Sequence, residues 1–409
     1  MEFGCLTISE DKSCLKELHS MAGNYGYEVK EVSLDGLRDI MSGKEFRGIN
    51  IEGSLCAASV PLVSKLSNEA SAAGFIDTVI NDDGVLIGHC TLYSGLRELL
   101  SKLCGDLIGK KVLIIGTGAN ADTAENVSKS LGADEVAVIR SESIDPERDE
   151  SGKYADAHVI INAPEGLVLS DTDFCPVDIE SFHCLQAVAD MAYSPIRSRL
   201  VLSAAEKGLK AMGGLYMLCA CASMSEALFN GKKYNSSLTD RIFEDTLYSR
   251  LNLVLIGMPS CGKTTVGERS AEIMGRPFAD TDRSIVMRTG RTISNIISTD
   301  GEEYFRTLED TEIRALSGTT GMVIASGGGS ILNPENVRLL KMNGKLVFLD
   351  RPFGELSVSK DRPISDTRKK LDKLYKTRLP IYRNAADRTV TTSWVVDDTV
   401  RSVLRVFWE

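Results

Sequence analysis

The segment Gly257-Met-Pro-Ser-Cys-Gly262-Lys263-Thr264 constrains this chain more than any other feature. It follows the apolar run LNLVLI and precedes TTVGERSAEIMG, which has helical spacing. The order is therefore strand, glycine loop, helix. In that setting G-x-x-x-x-G-K-[ST] predicts a loop whose backbone N–H groups turn inward around phosphate oxygens. The helix N-terminus adds partial positive charge at the same place. Lys263 is expected to reach the β- and γ-phosphates, and the Thr264 hydroxyl to ligate Mg²⁺. Gly257, Ser260, Cys261, Gly262, Lys263, Thr264 and Thr265 form the expected ATP-binding set. Cys261 reads either as a small residue or as a thiol made acidic by the helix N-terminus.

A second segment has the same grammar. KKVLIIGTGANADTAENVSKSLG, residues 110–132, runs strand, glycine turn, helix. Further buried strands are expected at 136–139, 158–163, 322–329 and 345–350. Apolar runs alternating with helices indicate parallel α/β sheets. Another α/β stretch precedes residue 100, with short strands at 48–51 and 78–81. At 409 residues the chain is too long for one ordinary domain. The polar stretch 229–245 is the expected linker, with the main boundary near residue 247. The formal net charge of −10 makes a nucleic-acid groove or an anionic membrane surface an unsuitable partner. No apolar stretch is long enough to span a bilayer, and the start MEFGCLTISEDK lacks the pattern of a signal peptide. A cytoplasmic protein with reduced thiols is the resulting expectation. The ten cysteines and four histidines offer no paired spacing for zinc.

A phosphate loop alone does not name the acceptor. Phe278-Ala-Asp280-Thr-Asp282 closes what reads as the next strand, and two carboxylates at i and i+2 point the same way on an extended backbone. Gly301-Glu-Glu-Tyr-Phe305-Arg306 follows, then Glu309, then Ser326-Gly327-Gly328-Gly329 at a strand end. Taken singly, these also read as a helix cap, a surface ion pair and a tight turn. In this order, and with Arg362-Pro363 and Arg378-Leu-Pro-Ile-Tyr382, residues 251–409 closely resemble shikimate kinase. The resemblance implies ATP as co-substrate, Mg²⁺ at Thr264 and Asp280, and shikimate as acceptor. By position, Asp282 would orient or deprotonate the acceptor hydroxyl. Arg306 and Arg378 would clamp its carboxylate, and Gly327, Gly328 and Gly329 would approach it by backbone. Lys263 and Arg362 would neutralise the transferring phosphoryl group. The lid before Arg362 is shorter than usual in that family, and Val358 lies about where many members carry an arginine against adenine.

Residues 1–245 resemble shikimate dehydrogenase. The landmarks are Phe46-Arg-Gly48-Ile-Asn50, Gly74-Phe-Ile-Asp77-Thr78-Val79, Gly88 to Gly95, the turn Gly116-Thr-Gly118, Ile161-Asn162-Ala163, Asp190-Met-Ala-Tyr193-Ser-Pro195 and Gly214-Leu-Tyr-Met217-Leu218. Arg140-Ser141 sits where a reader of a 2′-phosphate would, so NADP is the cofactor this half would favour. The reactive positions depart from that family. Its catalytic lysine is Cys56 here and its catalytic aspartate is Leu92. A substrate-contacting asparagine is Asp77, a glutamine is Cys221, and its N-terminal serine motif has only Ser13 nearby.

The expectation is an α/β chain with two parts. Residues 1–246 form a shikimate dehydrogenase-like part without its chemistry, with a substrate region over about 1–100 and a Rossmann region over about 101–220. Residues 247–409 form a P-loop kinase with a parallel three-layer sheet. The first part is a scaffold, a route to an oligomer, or a metabolite sensor. Three competing readings stay open: a bifunctional enzyme that also reduces 3-dehydroshikimate, a pathway regulator, and a kinase for another polyol such as gluconate.

Overall fold

A computed structural model describes residues 2–8, 14–24, 26–140, 153–358 and 367–409. The chain divides into two compact units, Met1–Thr246 and Leu247–Glu409.

The first unit carries two sheets. One is built from β1 (Phe3–Thr7), β2 (Glu28–Glu31), β3 (Gly48–Ile51), β4 (Lys65–Leu66), β5 (Thr78–Asp82) and β6 (Val85–His89), in the order β2-β1-β3-β5-β6-β4. It is mixed, because β5 runs antiparallel to both β3 and β6. The β5–β6 pair is a local hairpin: Asp83 and Gly84 both take positive φ, 47° and 86°, the backbone a two-residue hairpin turn needs. The other sheet has β7 (Lys111–Gly116), β8 (Glu135–Ile139), β9 (Val159–Ala163), β10 (Ala187–Asp190) and β11 (Lys210–Met212). Its order is β11-β10-β9-β7-β8, with every pair parallel.

The polar stretch expected to be a linker is instead mostly helix, Ser236–Arg250. Thr239, Ile242 and Thr246 recur at helical spacing and are buried, so a narrow inward stripe holds a helix whose polar residues face water. The Thr246 hydroxyl donates to Met21 Sδ at 3.0 Å. The preceding helix, Leu215–Phe229, is apolar nearly all round and most of its residues are buried. No disulfide joins the ten cysteines.

The second unit is one five-stranded sheet, β12 (Asn252–Ile256), β13 (Phe278–Asp280), β14 (Val323–Ala325), β15 (Gly344–Asp350) and β16 (Arg388–Thr391). All its pairs are parallel and the order is β13-β14-β12-β15-β16. Every residue of β12 is buried, so Leu253–Ile256 read as an apolar run, while the buried Asn252 side chain donates to Thr319 O and accepts from Met322 N. This order brings the C-terminal ends of all five strands to one edge, where α/β sheets carry their ligands. Among the described residues, no helix is long and apolar enough to cross a membrane.

Candidate active site

The phosphate loop leaves the end of β12 and enters the helix Lys263–Met274. Ser260 has φ 67° and Gly262 φ 102°, so the turn is tight enough to direct successive N–H groups inward. Lys263 Nζ donates to the carbonyls of Gly257 at 2.9 Å and Met258 at 3.1 Å. The ammonium is thereby folded over the loop it serves. Cys261 is buried beneath it, with Sγ 3.9 Å from Lys263 Nζ. Thr264 and Thr265 lie in the first turn of the helix, Thr265 exposed.

The two aspartates do not share an extended backbone. β13 stops at Asp280, which caps the helix Thr281–Thr289 by accepting from Arg283 N at 3.1 Å. Asp282 therefore lies in the first helical turn, and the carboxylates diverge. Asp280 Oδ2 accepts from Thr264 Oγ1 at 2.6 Å. Asp282 Oδ1 faces the glycine strip, 2.8 Å from where a Cβ on Gly327 would stand. Asp280 is therefore a helix cap that also bonds the phosphate-loop helix through Thr264.

The strip Gly327–Gly329 follows β14. A Cβ on Gly327 would lie 2.2 Å from Glu309 Oε1, and one on Gly329 would lie 2.1 Å from Arg306 Nη1. A Cβ on Gly328 would meet Pro259 of the phosphate loop at 3.0 Å. Side chains are therefore excluded at Gly327 and Gly329 by charged neighbours, leaving bare backbone between carboxylates and guanidinium. The helix Ile293–Ser317 is broken at Gly301, with φ 92° and ψ 164°. The break re-aims the second segment, so that Glu302, Arg306 and Glu309 share a face. Arg306 Nη1 donates to Glu309 at 2.5 Å and Nη2 to Glu302 at 2.7 Å. Glu309 is 1% exposed and also accepts from Ser330 Oγ at 2.7 Å. Burial works against the Arg306 charge, but Glu309 and Glu302 outweigh it and its pKa is raised. Glu309 was visible in the sequence only as a residue three past Arg306; its role as the buried anchor of that arginine was missed.

Arg378 comes from the helix Arg368–Ala385 and is 6% exposed. Its Nη1 donates to the Gly328 carbonyl at 2.9 Å. The Tyr382 hydroxyl, one helical turn on, donates to the same carbonyl. Arg362 lies outside the described residues. Val358 is exposed, and a different arginine stands near the phosphate loop. Arg351, just past β15, has Nη1 4.0 Å from where a Cβ on Gly262 would stand. Its guanidinium lies 5.4 Å from the ring centroid of Trp394, which follows β16 and is 75% exposed. Residue spacing gave no sign of this pairing, because it depends on β15 and β16 being neighbours.

In the first unit, the positions that the dehydrogenase resemblance singles out bond within the chain. Asp77 accepts from Thr91 N and Leu92 N, both at 2.7 Å, and from the hydroxyls of Thr78 and Thr91 at 2.9 Å. A carboxylate of the chain thus occupies the N-terminus of the helix Thr91–Cys104. Burial raises the Asp77 pKa despite those four bonds. Burial, followed by the Asp77 charge, also pushes the thiols of Cys56, Cys90 and Cys221 up. They remain neutral at physiological pH. Asn50 accepts from the Tyr27 hydroxyl and donates to Thr78 and Ser225. Arg140 is paired with Asp122 at 2.8 Å and Glu125 at 3.6 Å, so acidic neighbours already neutralise its charge. Ser13 and Ser141 lie outside the described residues. No group of three or more His, Cys, Asp or Glu residues suited to a metal ion occurs among the described residues.

Comparison with known proteins gives a different answer for each unit. A family model described as shikimate kinase matches residues 259–407. A shikimate kinase from Pelotomaculum thermopropionicum is 39% identical over 165 residues, covering 39% of this chain and 96% of that relative. One from Dechloromonas aromatica is 38% identical over 170 residues, covering 40% and 93%. Over the first unit the likeness is to solved structures. A chorismate mutase/shikimate 5-dehydrogenase fusion protein from Clostridium acetobutylicum has a TM-score of 0.54 at 22% identity, covering 60% of this chain and 96% of that one. Shikimate 5-dehydrogenase from Thermus thermophilus, solved with NADP(H) and shikimate, has a TM-score of 0.51 at 24% identity, covering 60% and 99%. At that identity the likeness shows the fold alone.

Proposed function

The chain belongs to the shikimate kinase family through its second unit, and from that premise we propose that this unit moves the γ-phosphoryl group of ATP to a ring hydroxyl of shikimate. One observation supports the reading: Asp282 and the Arg306–Glu309 pair line the strip Gly327–Gly329, Gly328 packs on Pro259 of the phosphate loop, and Asp280, bonded to Thr264 of that loop's helix, pairs with Ala325 just before the strip. A phosphate site and a site for a small polar acid therefore share one strand edge.

The acceptor oxygen forms a bond to the γ-phosphorus as the bond to the β,γ-bridging oxygen breaks. Asp282 takes the hydroxyl proton. Lys263, and Arg362 by its place in the sequence, meet the charge on the transferring group. The fork of Arg306, held by Glu309, and that of Arg378 bind the carboxylate of shikimate. The hydroxyl of Thr264 and the carboxylate of Asp280 are hard oxygen donors 2.6 Å apart, which suits Mg²⁺. Held by these two groups, Mg²⁺ would supply positive charge to offset that of the phosphates. The exposed ring of Trp394, with Arg351 beside it and the phosphate loop adjacent, offers a surface for the nucleobase.

The first unit acts without oxidoreductase chemistry in this reading. Leu92 carries no proton, Cys56 stays a neutral thiol, and Asp77 fills the helix terminus with the chain's own negative charge. Arg140, paired with Asp122 and Glu125, is a weak anchor for a 2′-phosphate. The test is the identity of the product. With ATP, Mg²⁺ and shikimate, ³¹P NMR should show a new phosphomonoester. With NADP⁺ and shikimate, absorbance at 340 nm should stay flat. A phosphomonoester from gluconate in place of shikimate, or a rise at 340 nm, would overturn the corresponding half of the proposal.

A further inference from the structure

The Gly328 carbonyl accepts from two side chains of one helix, Arg378 Nη1 at 2.9 Å and the Tyr382 hydroxyl. Arg378 is expected to touch substrate. Tyr382 is fully buried and reaches only inward. Its ring lies parallel to Phe348 of β15, with centroids 5.2 Å apart and planes 4° apart. Burial raises the phenol pKa, with Arg378 acting against that shift, so the hydroxyl keeps its proton and remains a donor.

A trans peptide is planar, with its C=O and N–H pointing in opposite directions. Fixing the Gly328 carbonyl on Tyr382 therefore fixes the Gly329 N–H on the opposite side, away from Tyr382. Gly329 is the residue whose Cβ position Arg306 occupies. Three glycines in succession have no side chains to set their peptide planes, so an external donor has to do so. The same tyrosine is tied to the phosphate loop through its neighbours. Phe348 Cδ2 and the Leu349 carbonyl lie 3.6 and 2.9 Å from where a Cβ on Gly257 would stand, and Gly328 packs on Pro259.

We propose that Tyr382 is a positioning residue that orients the Gly328–Gly329 peptide toward the acceptor, with its ring keyed against the strand flanking the phosphate loop. The proposal rests on shikimate being the acceptor only for its kinetic consequence. Arg378 also holds the carbonyl, so loss of the tyrosine hydroxyl loosens the peptide without releasing it.

The test compares the full chain with Tyr382→Phe, which keeps the ring and the Phe348 stack. Two readouts are taken. Amide hydrogen exchange across residues 326–330, measured without substrate, should quicken several-fold in the variant. Steady-state kinetics should show KM for shikimate up by about 3- to 10-fold, the worth of one ordinary hydrogen bond, with kcat and KM for ATP within about twofold. Tyr382→Leu, which also removes the stack, should in addition raise KM for ATP. Unchanged exchange together with unchanged KM for shikimate in Tyr382→Phe overturns the inference. So does an equal loss for both substrates accompanied by a lowered melting temperature, because that marks a purely structural tyrosine. If the parent chain ignores shikimate while exchange still quickens in the variant, the acceptor reading fails and the peptide-orienting role stands.

Discussion

The Thr264 hydroxyl donates to Asp280 Oδ2 at 2.6 Å, joining the first turn of the phosphate-loop helix to the end of β13. Asp280 meanwhile caps the next helix through Arg283 N. One carboxylate therefore fixes a helix start and presents an oxygen beside the phosphate loop. Removing either partner should weaken metal use before it weakens the fold. Asp280→Asn keeps the cap acceptor and loses the charge. The Mg²⁺ concentration for half-maximal activity should rise about 10- to 100-fold, the usual range for disturbing groups that hold a metal or its ligands. A Mg²⁺ titration at saturating ATP checks this, and an unchanged midpoint would remove Asp280 from the metal site.

Asp282 and Arg306 face the same glycine strip but should fail in different ways. Asp282→Asn removes the proton acceptor and should lower kcat by about 10²- to 10⁴-fold, with KM for shikimate little changed. Arg306→Ala should raise KM for shikimate by about 10- to 100-fold, as expected for losing a charge-assisted bond, and leave KM for ATP in place. It also strands Glu309 in a buried site, so a lower melting temperature accompanies it. Loss of ATP and shikimate binding in equal measure would indicate a folding defect rather than a clamp.

Trp394 is one of two tryptophans in the chain, and its ring is 75% exposed. If the base stacks there, ADP should quench a fluorescence component that Trp394→Phe removes. Trp394→Ala should raise KM for ATP by about 5- to 100-fold, the range for an aromatic stack on a base. KM for shikimate should not move. Quenching of the same size in Trp394→Phe would place the base elsewhere.

In the first unit, burial raises the Asp77 pKa above its ordinary value, about 3.9 for a free aspartate. The native state then holds that proton more tightly than the unfolded state does. Its contribution to stability is complete below the unfolded pKa and is lost as pH rises through the folded one. The melting-temperature difference between the natural chain and Asp77→Asn should therefore shift in favour of the variant as pH rises from about 4 toward neutrality. A difference that stays constant across that interval would mean that Asp77 does not titrate differently on folding.

The central sheet and the phosphate loop were legible because local chemistry carries them. An unbroken apolar run, two glycines, a lysine and a threonine fix β12, the turn and the helix together. The resemblance likewise named Asp282, Arg306 and the three glycines, which the fold brings together at the strip Gly327–Gly329. Less legible were the features that depend on distant partners. Asp280 and Asp282 were expected to point the same way, and a helix start between them turns them apart. The stretch 229–245 is polar enough to read as a linker, yet the inward residues Thr239, Ile242 and, just beyond it, Thr246 hold most of it as a helix. Glu309, Tyr382 and the Arg351–Trp394 pair owe their places to contacts between elements far apart in sequence. The turn Asp83–Gly84, which makes β5 and β6 a hairpin, was readable as a hairpin signal and was not drawn on.

The most direct measurement is shikimate-dependent release of ADP by the full chain, with Mg²⁺ and saturating ATP, alongside Lys263→Ala. The account predicts ADP formation that requires shikimate, saturates with it, and falls by several orders of magnitude in the variant. ADP release that is indifferent to shikimate, or absent with shikimate and restored by another polyol, would contradict it.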